Sequence, residues 1–367
     1  MSETEFQGSK LRVARLLNGW TKADLADRLQ VSRQFIHALE VGQKPVSQDM
    51  LAALSLLLKV QPSFFWEPLQ FEVREEECHF RSRSSLPDKV ADQIISHGTA
   101  LEMIVRFLDN ALTLPKVNFP TIEVHSTEEI ELAAENCREQ WGLGTGPIAS
   151  MCRVLENAGA IVSLYAGDRQ EVDALSMARI RPIVLRNTFK QSPGRQRFDL
   201  AHECGHLVIH QGVSTGDKET EAQANQFGSA LLMPREAFIR EFPAMPTRID
   251  WHAIYSLKVR WRVSAKAIIR RGHDLGRLDA NQYAIGNRFL NQTGQSKVER
   301  FDETIPLEEP QLLRTAIGAY LNAYSSTPAA LAKELSMTPS MIEQLIGFSA
   351  FRDHLQIGQT SKLLEPT

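Results

Sequence analysis

The chain has 367 residues, is 43% hydrophobic and carries a formal net charge of −3. That length predicts two or three domains with ordinary apolar cores, and the near balance of charge excludes a global basic field, so any grip on nucleic acid must come from a local patch. The four cysteines (Cys78, Cys137, Cys152, Cys204) form no C-x-x-C pair, the first residues show no apolar leader and no apolar run reaches membrane-spanning length; this argues against a disulfide framework or a membrane partner and predicts a cytoplasmic protein.

Residues 9–66 read as five short helices. Lys10 to Leu17 is amphipathic. Thr21 caps a helix from Lys22 to Leu29, with Asp24 placed to complete a capping box. Gln30-Val31 make the turn, Ser32 caps the helix Arg33–Glu40, and Gly42 stops it. Ser47 opens a fourth helix to Lys59, and Pro62 to Trp66 gives a last apolar turn. Leu25, Ala26, Val31, Ile36 and Leu39 would pin two helices at a steep angle, the spacing of a helix-turn-helix. The run Thr21 to Glu40 resembles the XRE family of lambda-repressor-like domains. The resemblance implies a double-stranded DNA operator as partner, with the helix from Arg33 in the major groove. Arg33, Gln34 and His37 would then face base edges, and Lys22, Ser32 and Lys44 phosphates. The family often has Gln where Lys22 stands, which favours a phosphate contact there. A domain this small needs a homodimer on two half-sites to bind tightly. The alternative is a helical protein-interaction module with a solvated charged face.

Residues 67–120 read as a linker and a long helix. Glu75-Glu76-Glu77 reads as a solvated acidic run, and Phe80-Arg81-Ser82-Arg83-Ser84 as a connector, the alternative being a DNA contact. Pro87 to Leu114 has apolar residues at helical spacing and is expected to pack or to dimerise. Ser126-Thr127-Glu128-Glu129 opens another helix, and Pro147 the next, to Glu156. The period then changes: Ile161–Tyr165 and Pro182–Arg186 read as strands. The second is a candidate sheet edge along which a substrate backbone could add as an extra strand, the alternative being a plain core strand.

His202-Glu203-Cys204-Gly205-His206 is the most informative stretch. On a helix, positions i and i+4 share a face, so two imidazoles can grip one metal ion while Glu203 reaches toward a metal-bound water. His210 would lie about 12 Å along the axis from His202, too far to share that ion. A catalytic zinc takes three protein ligands and a water, and Glu221, on a second helix ended by Pro234, is the candidate third ligand, the alternative being a solvated charge at the helix start. Glu219 is the rival if the register slips. Glu221, Ala224, Asn225 and Gly228 form a small or polar face that can lie close against the first helix. Arg197 to His210, followed by Glu221 to Pro234, resembles the ImmA/IrrE family of metallopeptidases. Gly228 stands where that family commonly has Ala. The resemblance implies a small zincin-like domain with His202, His206 and Glu221 as ligands of one Zn2+ or another divalent ion, and Glu203 as general base. It also implies a protein substrate, a repressor in such families. The oxyanion partner is unassigned, His210 and Tyr165 being the candidates.

After Pro234 the chain is again helical. Trp251 to Arg271 repeats a two-helix pattern with Arg262-Val263-Ser264 at its turn, and its six cations raise the question of a second nucleic-acid surface. Ala329 to Ile346 has a similar pattern and reads as packing or interaction; the tail 358–367 reads as disordered. The predicted fold is mainly α with a small β-sheet (α+β). A five-helix helix-turn-helix domain (9–66) and a linker with its long helix (67–120) lead into a zincin-like metallopeptidase domain (121–285) and a helical C-terminal region (286–367). The expected function is a DNA-bound regulator that is also a zinc endopeptidase. The alternative is a non-enzymatic transcription factor or antitoxin whose peptidase-like domain senses a ligand or metal.

Overall fold

The structure, a computed structural model, describes residues 5–80, 86–165, 174–188, 192–213 and 215–349. The expectations for Arg81 to Ser84 and for the tail fall outside these.

The N-terminal helices are α1 (Gly8–Leu17), α2 (Lys22–Leu29), α3 (Arg33–Glu40) and α4 (Gln48–Leu58), followed by a 3-10 turn, Pro62–Phe65. Local chemistry sets their ends. Thr21 and Asp24 form a reciprocal capping box, Ser32 and Ser47 each accept a backbone N–H, and Gln30 turns the chain in the left-handed region at φ 54°. Leu25, Ala26, Ile36 and Leu39 are buried between α2 and α3. Arg15 on α1 ties the module together: it grips the Glu40 carboxylate (2.6 Å) and the Trp20 carbonyl (2.6 Å), with both charged side chains buried.

Strand β1 (Cys78–His79) precedes the long helix α5 (Asp88–Ala111). Then come α6 (Thr127–Gln140), α7 (Met151–Asn157), β2 (Ile161–Tyr165), β3 (Ala174–Met177), β4 (Ile183–Asn187), α8 (Pro193–Ile209), α9 (Lys218–Leu232) and α10 (Arg235–Glu241). Helices α11 (Trp251–Trp261), α12 (Ala265–Asp274), α13 (Ala280–Gln292), α14 (Leu312–Ala323), α15 (Pro328–Glu334) and α16 (Pro339–Ile346) complete the chain. Helix α7 starts at Met151 under a Ser150 cap, not at Pro147, because the Ser150 hydroxyl satisfies the Arg153 N–H.

The sheet order is β1-β3-β4-β2, with β2 and β4 parallel and the other pairs antiparallel. Strand β4 is therefore internal, paired on both sides, and cannot be the substrate edge expected for Pro182–Arg186. All five of its residues are buried, as its unbroken apolar start suits. The sheet divides two cores. Ile161, Tyr165, Ile183 and Leu185 face one core, shared with α1–α5 and α14–α16; Val162 and Val184 face the other, shared with α6–α13. This two-residue alternation is what the pleat dictates. Helix α5 has its apolar face covered within the chain, by α1, α14 and α16. The Ala329–Ile346 pattern is likewise packing: α16 lies on β2, and the Ser163 hydroxyl and the His97 ring both bond the Leu345 carbonyl.

A candidate metal centre and a DNA-reading face

Helices α8 and α9 cross at very close range. A Cβ on Gly205 would stand 3.2 Å from the Ala224 Cα, and one on Gly228 would stand 3.0 Å from the His202 nitrogen. Small residues at the crossing let α9 present Glu221 to the histidine face of α8. The three side chains converge. His202 Nε2 and His206 Nε2 are 3.1 Å apart, and each lies 3.3 Å from a Glu221 carboxylate oxygen. Among the described residues these three form a group able to hold a metal ion. Four ligands about 2.0–2.1 Å from a tetrahedral zinc lie about 3.3–3.4 Å from one another, so the spacing fits that ion.

The hydrogen bonds around the donor set favour one tautomer of each imidazole. His202 Nδ1 lies 3.1 Å from Asn225 Oδ1, an acceptor, so Nδ1 carries the hydrogen and Nε2 keeps its lone pair. His206 Nδ1 lies 2.9 Å from His210 Nδ1, and His210 Nε2 lies 2.8 Å from Gln223 Oε1. Reading back from the Gln223 acceptor, His210 donates through Nε2 and accepts at Nδ1. His206 therefore donates through Nδ1 and offers Nε2 to the centre. Burial holds the His206 ring down at about 4, so it is neutral. These tautomers leave both Nε2 atoms aimed at the centre, as a divalent cation requires of its imidazole ligands.

Glu203 points from α8 to the sheet. It is buried, and Ser176 of β3 donates its hydroxyl hydrogen to Glu203 Oε2 at 2.6 Å. Burial raises this carboxyl to about 7, against the opposing pull of His202 and of that hydrogen bond. Glu219, the rival third ligand, is exposed and is not among the residues that converge on the centre. His210 is placed as a support for His206. Tyr165 packs edge-on against His97 in the opposite core, so it is no oxyanion partner. Ser176 and His79 are the site neighbours that sequence reading missed. His79, from β1, stacks on His206 with ring centroids 5.1 Å apart. No motif announces either residue, because both β1 and β3 are short strands.

On the N-terminal module, Ser32, Arg33, Gln34, His37 and Lys44 are exposed, and Arg33, Gln34 and His37 lie along one side of α3. The Ser32 hydroxyl accepts the Phe35 N–H (3.1 Å). Lys22 lies 3.6 Å from the Glu40 carboxylate and is half-buried. Lys44 stands over the Phe35 ring. Two of the six cations between Trp251 and Arg271 are structural: Lys258 is buried between Glu299 and Asp302, and Arg271 is buried against Glu131. This weakens the case for a second nucleic-acid surface there.

The chain thus pairs a helix-turn-helix with a two-helix histidine–glutamate centre backed by a sheet. Comparison with known proteins agrees. The chain joins an XRE-type helix-turn-helix domain, residues 11–65, to an IrrE N-terminal-like domain of a peptidase family, residues 162–273. It is similar to the HTH-type transcriptional regulator PrpR of Mycobacterium tuberculosis, 22% identical over 300 residues, covering 67% of this chain and 59% of PrpR. It is also similar to the uncharacterized HTH-type transcriptional regulator y4wC of Sinorhizobium fredii, 27% identical over 100 residues, covering 27% of this chain and 69% of that protein. The chain's match thus spans less than two thirds of PrpR. Among the described residues, no helix is long and apolar enough to cross a membrane.

Proposed function

We propose that this chain is a DNA-binding transcriptional regulator carrying a zinc-dependent endopeptidase that cuts a repressor-like protein. The observation that carries the peptidase half is the convergence of His202, His206 and Glu221, with the buried carboxylate of Glu203 next to His202 in the chain. In this reading His202, His206 and Glu221 hold one zinc ion. When bound, such an ion acidifies a water and polarises a peptide carbonyl. Glu203 takes the proton from the attacking water and returns it to the leaving amine. Ser176 fixes the carboxylate's direction, while Asn225 and the His210–Gln223 pair fix the imidazole tautomers.

The DNA half rests on α3. Arg33, Gln34 and His37 read base edges, and Ser32 and Lys44 meet phosphates, with Lys22 free to join them once it leaves Glu40. A homodimer would span two half-sites. The regulator names of the similar proteins support this half.

One observation favours a second reading. His202, Glu203 and His206 are only 1–2% exposed. A site so closed also suits a metal- or ligand-sensing regulator that cuts nothing. Glu203→Gln separates the two. It should retain one metal per chain yet lose cleavage of candidate repressors, whereas wild type stripped by a chelator should lose both metal and cleavage. DNA binding that responds to metal with no cleavage under any condition would support the sensor.

A further inference from the structure

We propose that the short strand β1 stands in the substrate's place. Residues Cys78 to Phe80 hold the site latent, and an extended peptide must replace them along β3. This rests on the peptidase reading. The IrrE N-terminal-like domain, residues 162–273, supplies β2, β3 and β4. Strand β1 comes from outside it, between the helix-turn-helix and α5. Without β1, the outer edge of β3 would be bare, and it is the sheet edge beside the histidine helix. A bare edge takes up an extended backbone by hydrogen bonding, whatever its sequence.

The register shows how closely β1 meets the centre. Cys78 pairs with Met177 and His79 with Ser176. The Ala178 N–H donates to the Glu77 carbonyl (2.8 Å), so 77/178 and 79/176 are hydrogen-bonded pairs and 78/177 is the close, non-hydrogen-bonded one. Directly opposed residues project from the same face. Ser176 faces α8, where it meets Glu203, so His79 faces α8 as well. Its ring lies 7° from parallel over His206. His79 Nδ1 bonds the Thr215 hydroxyl (3.0 Å), but Nε2 is buried with no hydrogen-bond partner among the described residues. An unmet buried nitrogen is costly. It fits a side chain seated in a site shaped for another occupant. Arg179, paired with Glu77 and with Glu102 (2.7 Å), pins the start of the segment, and buried Phe80 pins its end. A two-residue ladder between two anchors can be exchanged for a longer strand of a protein substrate.

The 78/177 pair allows a direct test, because a non-hydrogen-bonded antiparallel pair has the Cα separation a disulfide needs. Met177→Cys in the full-length chain, beside native Cys78, should lock β1 when oxidised and free it when reduced. The same change with Cys78→Ser is the control, and His79→Ala is a second way to loosen the strand. The readouts are the rate at which bound zinc passes to a chromogenic chelator and the cleavage of unfolded casein. The reduced form and His79→Ala should surrender zinc about tenfold faster than the locked form, and any cleavage should be confined to them. Equal zinc transfer from locked and reduced forms would overturn the proposal, as would casein cleavage by the locked form. Lock-dependent zinc transfer with no cleavage in any form would keep the occluding strand and sink the peptidase reading instead. If no form takes up zinc, hydrogen exchange at the Ser176 and Ala178 amides, which face β1, decides: protection as strong in His79→Ala as in wild type overturns the strand-exchange idea.

Discussion

Ser176 gives its hydroxyl hydrogen to Glu203 across 2.6 Å, joining the strand beside the site to the carboxylate proposed as base. This bond favours the charged carboxylate, against the burial that raises Glu203 to about 7. Ser176→Ala should therefore raise the Glu203 carboxyl further. The base must be ionised to accept a proton, so the acid limb of cleavage should move to higher pH, with the largest loss of rate at and below neutrality and recovery in alkali. Leaving a buried acceptor unmet should also cost about 1–3 kcal/mol of stability. A pH–rate profile that overlays the wild type would show that the serine only fills space.

Metal retention tests the three convergent side chains directly. His206→Ala and Glu221→Gln should each abolish stoichiometric zinc in the purified chain, read by elemental analysis. Asn225→Leu and Gln223→Ala leave all three donors in place but remove the acceptors that set the imidazole tautomers. They should weaken zinc by about 10–100-fold without abolishing it. Zinc should raise the melting temperature of the wild type and leave that of Glu221→Gln unmoved. If Glu221→Gln binds and is stabilised as the wild type is, α9 does not complete the centre.

Much of this was legible in the residues. The helix-turn-helix was readable because caps and stops are local: Thr21, Asp24, Ser32 and Gly42 act within four positions of themselves. The histidine pair was readable because helical periodicity alone puts i and i+4 on one face. Glu221 was reachable because the small residues around it announce a close crossing. Contacts between segments far apart in sequence left no such mark. Ser176 and His79 meet the site across a ladder whose register depends on long-range pairing, and strand β4 looked like an edge because an apolar run does not say how many neighbours it has. The buried cations Lys258 and Arg271 read as a basic surface, since nothing near them shows that Glu299, Asp302 and Glu131 will arrive to pair them.

Glu40 connects folding of the DNA-reading module to its geometry. Its carboxylate is buried against Arg15, so removing it strands a buried guanidinium. Glu40→Ala should cost about 3–5 kcal/mol, whereas the exposed Arg33→Ala should lie within about 0.5 kcal/mol of wild type. Their effects on DNA should separate the same way. Arg33→Ala should lose discrimination among sequences selected by the wild type from a random pool, while remaining folded. Denaturant titration and fluorescence anisotropy check the pair; an Arg33→Ala variant that still prefers the selected sequences would take Arg33 off the base edges.

Glu156 gives the fold its own pH dependence. It lies in the last turn of α7, and one of its carboxylate oxygens accepts the Gln311 and Leu312 N–H groups, both at 2.8 Å, at the start of α14. Those bonds favour the charged form, but burial wins and lifts the carboxyl from 4.5 to about 7. The folded state therefore binds this proton more tightly than the unfolded chain does. Its contribution is fully present below about pH 4.5 and is lost as pH rises through about 7. A shift of that size corresponds to roughly 3 kcal/mol. Glu156→Gln keeps an acceptor for α14 but cannot ionise. The stability of Glu156→Gln minus that of wild type should thus grow by about that amount between pH 4.5 and pH 7.5, measured by urea unfolding. A difference that stays flat across this range would mean that Glu156 is already charged in the folded protein at pH 5, and that the α14 amides outweigh its burial.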